Sequence, residues 1–200
     1  MEPRAGPNKL TVLLVDDRRD RASALKRALS AMDGVEVALT LESPLALLRH
    51  VELHRPDIIL IDTESPSRDV LEQLAAVSGN APRPVVMFTD DAQDGAIRSA
   101  LRAGVSAYIV DGLAPGRLDP IMRIAMERFM AEQELRAELE DTRARLAERK
   151  LVERAKGILM QQRGCTEDEA YTALRSLAMQ RAIRLGEAAQ QVIDVSSLLG

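Results

Sequence analysis

The chain has 200 residues, 27 Lys and Arg against 31 Asp and Glu, a formal net charge of −4, 46% apolar residues and 2% aromatic residues. This length holds one medium and one small domain, and with no Trp the cores must be built from Leu, Ile, Val, Ala and Met. A single cysteine, Cys165, excludes an intrachain disulfide and a cysteine-cluster metal site.

The apolar runs Ile58 to Ile61 and Val85 to Phe88 are too short to span a bilayer. The N-terminus has no apolar stretch behind basic residues, so a cytoplasmic location with no membrane partner is expected. Charge is uneven along the chain. Residues 1–117 hold 14 Lys and Arg against 17 Asp and Glu, residues 118–148 hold 5 against 8, and residues 149–200 hold 8 against 6. Only the last section is positive, which is weak steering toward nucleic acid.

In chain order, residues 1–9 carry two prolines and a glycine and read as a flexible lead-in. Five apolar-rich runs follow, Thr11 to Val15, Val35 to Leu39, Asp57 to Ile61, Val85 to Phe88 and Ala107 to Val110, and read as strands. Amphipathic segments alternate with them: residues 22–29, Ser43 to Arg49, Asp69 to Val77 and Gly95 to Arg102. Apolar strands alternating with helices predict an α/β domain over residues 10–117, a five-stranded parallel sheet covered on both faces.

Ligands of such sheets bind at the carboxyl ends of the strands. Asp16 and Asp17 follow the first strand, Asp62 ends the third and Thr89 ends the fourth. Three converging carboxylates offer hard oxygens to Mg²⁺. Asp62 is then placed to accept a phosphoryl group, and the Thr89 hydroxyl to hydrogen-bond one of its oxygens.

This ordered set resembles the receiver domain of two-component response regulators, a flavodoxin-like fold. The resemblance implies a metal-binding acidic pair at Asp16 and Asp17, a phosphoacceptor at Asp62, the pocket hydroxyl at Thr89 and the aromatic that reorients on activation at Tyr108. It also implies a histidine kinase as a candidate partner. One position departs from the pattern: Asp111-Gly112 stands where the family has a lysine and a proline. Asp111 adds a like charge to a pocket of carboxylates, where a lysine would neutralise the phosphoryl group. His50 and His54, four residues apart, lie at or just beyond the end of a helix and away from the acidic cluster; they read as solvated surface, the alternative being a metal-binding pair if the helix extends that far.

From Leu118 to about Gln162 there is no proline after Pro120 and no glycine before Gly157, and good helix formers dominate. Leu118, Ala125, Glu132, Leu139 and Leu146 recur every seven residues, with Ile121, Leu135 and Thr142 between them. Residues 118–149 therefore read as a helical linker with a short, imperfect coiled-coil seam; a homodimer through it is expected, the alternative being a monomer whose stripe packs back on the receiver. Glu132 with Arg136, and Asp141 with Arg145, add i,i+4 pairs.

Residues 150–200 read as a small three-helix bundle whose first member is the end of that long helix. Val152, Ala155, Ile158 and Leu159 mark its apolar side and leave Arg154 and Lys156 to solvent, while Gly157 suits a close backbone or helix approach. Gly164 can close the helix in the left-handed conformation, and Thr166 with Glu169 forms a capping box for the next. That helix, to about Gln180, carries Ala170, Leu174, Leu177 and Ala178. The last, Leu185 to Leu199, carries Leu185, Ala188, Val192, Ile193, Val195 and Leu198.

The run Glu153-Arg154-Ala155-Lys156-Gly157-Ile158-Leu159-Met160, then Gly164, Glu169-Ala170-Tyr171, Leu174-Arg175 and Ala178-Met179, resembles the ANTAR domain of AmiR- and NasR-type antitermination regulators. The resemblance begins near residue 140 and is most similar to the NasT type. It implies binding to paired stem-loops in a nascent leader RNA, antitermination of nitrate and nitrite assimilation genes, and a nitrate-sensing inhibitory partner. RNA loops are read through stacking, base-edge bonds and phosphate contacts. The groups available for this are Lys150, Arg154, Lys156, Gly157, Arg163, Tyr171 and Arg175, with Gln161 and Gln162 as base-edge readers. A DNA-binding response regulator and a protein-interaction adaptor remain open as alternatives, and no enzymatic activity is expected.

Overall fold

A computed structural model of the protein describes residues 9–16, 19–110 and 115–199; the side chains of residues 19–24, 115, 198 and 199 are not described. Asp17, Arg18, Asp111, Gly112 and residues 1–8 of the lead-in thus lie outside the described residues. The chain divides into two compact units, residues 1–132 and residues 133–200.

The first unit alternates strands and helices: β1 (Leu10–Asp16), α1 (Arg19–Ser30), β2 (Val35–Leu41), α2 (Leu47–His54), β3 (Ile58–Thr63), α3 (Arg68–Asn80), β4 (Val85–Thr89), α4 (Asp94–Arg102) and β5 (Ala107–Val110). The strands form one parallel sheet in the order β2-β1-β3-β4-β5, as the alternation predicts. Side chains alternate between its faces. Leu13, Val15, Ile59, Ile61, Val85 and Met87 pack with Leu47, Val51, Leu74 and Val77 of α2 and α3. Val12, Leu14, Ile58, Leu60, Val86 and Phe88 pack on the other face with Leu25 and Leu29 of α1.

Several element boundaries differ from the sequence reading by one to five residues. The second helix begins at Leu47 rather than Ser43, after Ala46 in the left-handed region (φ 63°), and runs through His54. It therefore carries both histidines, half-buried, with their rings stacked at 6.0 Å between centroids and 13° between planes; they are not solvated surface. Strand β3 begins at Ile58, and the Asp57 carboxylate just before it accepts from Thr11 N at 2.7 Å and Thr11 Oγ1 at 2.6 Å, tying down the start of β1.

The long helix α5 (Leu118–Arg163) begins in the first unit and ends in the second. Leu118, Met122 and Ala125 are buried in the same cluster as β1, β3 and β4. The expectation that Leu118 and Ala125 open a coiled-coil seam is therefore corrected: an i, i+4, i+7 stripe packs as well on a sheet as on a second helix. Residues 134–150 are exposed throughout, Leu135, Leu139 and Leu146 included. Asp141 and Arg145 pair there at 2.8 Å.

In the second unit, Val152, Ala155 and Leu159 of α5 share a core with Ala170 and Leu174 of α6 (Glu167–Arg181) and Ala189 and Ile193 of α7 (Leu185–Leu199). Gly164 closes α5 at φ 63°. Thr166 caps α6, its hydroxyl accepting from Glu169 N while the Glu169 carboxylate accepts from Thr166 N at 2.8 Å. Val195, expected in the apolar stripe of α7, is 55% exposed, because the helix turns it past the packed face of Ala189 and Ile193.

Candidate functional site

At the carboxyl edge of the sheet, β1 and β3 are in parallel register with Asp16 opposite Asp62, and these residues are 3% and 6% exposed. Two carboxylates side by side in a poorly solvated pocket repel one another, and a divalent cation with hard-oxygen preference offsets that cost. The donor set thus fits Mg²⁺. Among the described residues no group of three His, Cys, Asp or Glu side chains is gathered for a metal ion; Asp17, the third carboxylate of the expected set, lies outside them.

Beside this pair stands a hydrogen-bonded bridge between the loops after β3 and β4. Thr89, fully buried and in register with Thr63, donates from Oγ1 to the Glu64 carbonyl at 2.8 Å and accepts from Asp91 N at 3.2 Å. Its proton is therefore committed to Glu64, and donation to a phosphoryl oxygen requires that bond to break. Tyr108, half-buried on β5, donates its phenol to the Asp91 carbonyl at 2.8 Å. Burial pushes the phenol above its ordinary pKa. Ser65 Oγ donates to Asp91 Oδ2 at 2.7 Å and Gln93 N to Asp91 Oδ1 at 2.9 Å. These bonds, Ser65 first, hold the Asp91 carboxyl below the ordinary carboxylate range.

Sequence reasoning singles out Asp16, Asp62, Thr89 and Tyr108, which the fold brings to this edge of the sheet, and does not single out Ser65, Glu64 or Asp91. Asp91 follows the β4 run by only two residues, and its partner Ser65 is 26 residues away, so the signal was a polar loop like any other.

In the second unit the basic side chains divide. Lys150 and Arg154 lie four residues apart on α5, and both are exposed, as are Arg163 and Arg175. Tyr171 is 43% exposed, which leaves its ring available at the surface. Lys156 departs from the expectation that it faces solvent: it is 8% exposed, and Nζ donates to Glu153 Oε1 at 2.8 Å and Glu167 Oε1 at 2.6 Å. These two bonds, Glu153 first, hold its pKa above the ordinary lysine value, and the bond from Lys156 holds Glu167 below the ordinary carboxylate value. The physical reason is that α6 folds back so that its first residue reaches Lys156.

Gly157 does not make the expected close approach: a Cβ built there meets nothing within 4 Å, because the residue is on the exposed side of α5. The close approach is at Gly186, where a Cβ would come 2.9 Å from Glu148 Cγ; Gly186 N donates to Glu148 Oε1 at 3.1 Å. Glu148 thus serves one of the open N–H groups in the first turn of α7.

Comparison with known proteins agrees with both halves. Residues 12–123 match the response regulator receiver domain and residues 140–193 the ANTAR domain. The transcriptional regulatory protein PdtaR of Mycobacterium tuberculosis is 30% identical over 187 residues, covering 92% of this chain and 89% of that protein. A protein-glutamate methylesterase/protein-glutamine glutaminase of Alkalilimnicola ehrlichii is 30% identical over 127 residues but only 33% of its own length is covered, and what the two share is the receiver domain. Among solved structures, the response regulator domain of Thermotoga maritima CheB superposes with a TM-score of 0.52 at 25% identity, covering 60% of this chain and 97% of that one. A CheY-like receiver domain protein of Methanospirillum hungatei gives 0.54 at 23% identity, covering 62% and 98%. No described helix is long and apolar enough to cross a membrane. The chain belongs to the response regulators, with a receiver domain followed by an ANTAR domain.

Proposed function

We propose that this response regulator binds paired stem-loops in a nascent leader transcript through its ANTAR domain and promotes transcription antitermination. The observation that carries this reading is the exposed basic set of Lys150, Arg154, Arg163 and Arg175 on the unit that contains the ANTAR match. Such side chains hold phosphates, and the exposed Tyr171 ring offers a stacking face. Lys156 is assigned a structural part in the domain, since both of its bonds go to carboxylates of the same unit. On this reading residues 150–200 form the RNA-binding domain and residues 118–149 join it to the receiver.

Asp62 is the proposed phosphoacceptor, with Asp16, Asp17 and Asp62 as the residues that would hold Mg²⁺. When bound, the ion would offset the charge of the carboxylates and of an incoming phosphoryl group. Thr89 and Tyr108 would report the change by releasing their bonds to Glu64 and Asp91. A histidine kinase or a nitrate-sensing inhibitory protein is the proposed upstream partner, and Leu135, Leu139 and Leu146 the proposed seam of a homodimer. The nitrate and nitrite assimilation transcripts are proposed as targets on the NasT resemblance of the signature.

The test is binding of the full chain to an RNA of two tandem hairpins and to a DNA duplex of the same stem sequence, at one salt concentration. Binding to the RNA at least tenfold tighter supports the reading; preference for the duplex assigns the protein to DNA instead.

A further inference from the structure

Away from Lys150 and Arg154, the second unit has a groove where the end of α5 meets α6 and α7. Two adjoining cavities of about 290 and 180 Å³ share a floor of Leu159, Leu177 and Val192 and a rim that includes Arg163. Among the described residues lining them there are arginines, glutamines and serines but no Asp or Glu. In a chain with net charge −4, the charged side chains of this lining, Arg163 and Arg181, are both positive.

Two amides on the rim each make one side-chain hydrogen bond. Gln162 Nε2 donates to Ser196 Oγ at 3.2 Å, which leaves the Gln162 carbonyl as an acceptor. Arg181 Nη1 donates to Gln191 Oε1 at 2.5 Å, which leaves the Gln191 amide as a donor. An apolar floor, an amide donor, an amide acceptor and arginines at the edge match the needs of one ligand chemistry: an unstacked nucleobase attached to phosphates. The floor takes the flat face of the base, the amides its edge, and the guanidinium groups the flanking phosphates.

We propose that this groove receives one base extruded from an RNA loop, with Gln162 and Gln191 reading an edge that carries both a donor and an acceptor, and Arg163 and Arg181 holding the adjacent backbone. The inference rests on the RNA-binding reading above and adds to it a second contact area and the source of its sequence preference.

The experiment uses the full chain and an RNA selected by it from a pool of tandem hairpins with randomised short loops, with and without acetyl phosphate and Mg²⁺. Each loop nucleotide is then replaced in turn by an abasic one. Affinities are measured for the wild type and for the double variant Gln162→Ala, Gln191→Ala, whose helicity and thermal unfolding are checked to be unchanged. The proposal predicts one loop position at which base removal weakens wild-type binding tenfold or more. At that position the double variant should already bind as weakly and lose less than twofold further. Equal losses in wild type and variant at every position overturn it, and leave the groove to another ligand such as a protein segment. Failure to select any binding RNA overturns the RNA-binding reading itself, a result distinct from selection of an RNA indifferent to the groove.

Discussion

Lys156 and Glu167 are 11 residues apart in the chain and 2.6 Å apart in the fold, joining the last turns of α5 to the first turn of α6. Glu153 completes the arrangement from the preceding turn at 2.8 Å. The ammonium group is thereby occupied by two carboxylates, in a unit whose other signature cations face solvent.

The first prediction is that Lys156→Met leaves RNA affinity within about twofold when measured where the domain is folded, yet lowers the unfolding temperature of the second unit. The pH dependence has a definite sign. Glu167 is held below its ordinary value, so its contribution is present above the unfolded carboxylate pKa and is lost as pH falls through the lower folded value. Lys156 is held above its ordinary value, so its contribution is present below the unfolded lysine pKa and is lost as pH rises through the higher folded value. Thermal melts of wild type and variant should therefore differ most near neutral pH and converge at both extremes. A loss of RNA affinity as large as that for Arg154→Ala would return Lys156 to the interface.

A second prediction separates the two parts of the long helix. Leu118 is fully buried against the sheet, so Leu118→Ala should destabilise the receiver domain by roughly 2–5 kcal/mol. Leu139 is 47% exposed, so Leu139→Ala should change the unfolding free energy of the monomer by less than about 0.5 kcal/mol. Its effect should appear instead in the dissociation of the proposed homodimer, read by sedimentation equilibrium. Chemical denaturation of both variants at low protein concentration checks the contrast.

These two residues also mark the limit of what was legible in the sequence. The five strands were, because each is a short apolar run and both faces of the sheet are buried. Gly164 and the Thr166–Glu169 box were, because their chemistry is local to the turn. The carboxylates opposite each other at Asp16 and Asp62 followed from strand ends. What stayed hidden depended on distant partners: Lys156 acquires Glu167 only once α6 folds back, and Thr89 acquires the Glu64 carbonyl only in the assembled sheet. The Glu153–Lys156 pair, three apart on one helix, was the one local hint that this cation was spoken for. The heptad reading of Leu118 and Ala125 erred because the period that fits a second helix also fits a sheet.

A third prediction concerns the cap of α6. The Thr166 hydroxyl accepts from the Glu169 backbone at 3.4 Å while the Glu169 carboxylate accepts from Thr166 N at 2.8 Å. Thr166→Ala should cost about 1 kcal/mol of stability in the second unit, and Thr166→Ser close to none. Thermal unfolding of the full chain followed by circular dichroism at 222 nm, where helices absorb, reads the difference.

A fourth prediction tests the acidic pocket. Asp62→Asn removes one of two carboxylates that lie in register at the carboxyl edge of the sheet, so the wild type should gain more thermal stability from Mg²⁺ than the variant. At a concentration a hundredfold above its Kd the ion stabilises the wild type by about 2.7 kcal/mol and the variant by less. Equal responses of the two proteins to Mg²⁺ would place any cation elsewhere.

RNA binding through the exposed basic side chains of the ANTAR domain is tested by the salt dependence of binding of the full chain to a tandem-hairpin leader RNA, for wild type, Lys150→Ala and Arg154→Ala. The account predicts tight wild-type binding, weaker binding by both variants with helicity intact, and a salt slope smaller by about one for each phosphate contact removed. Affinities and slopes unchanged by either substitution, or no RNA binding with or without acetyl phosphate and Mg²⁺, would contradict it.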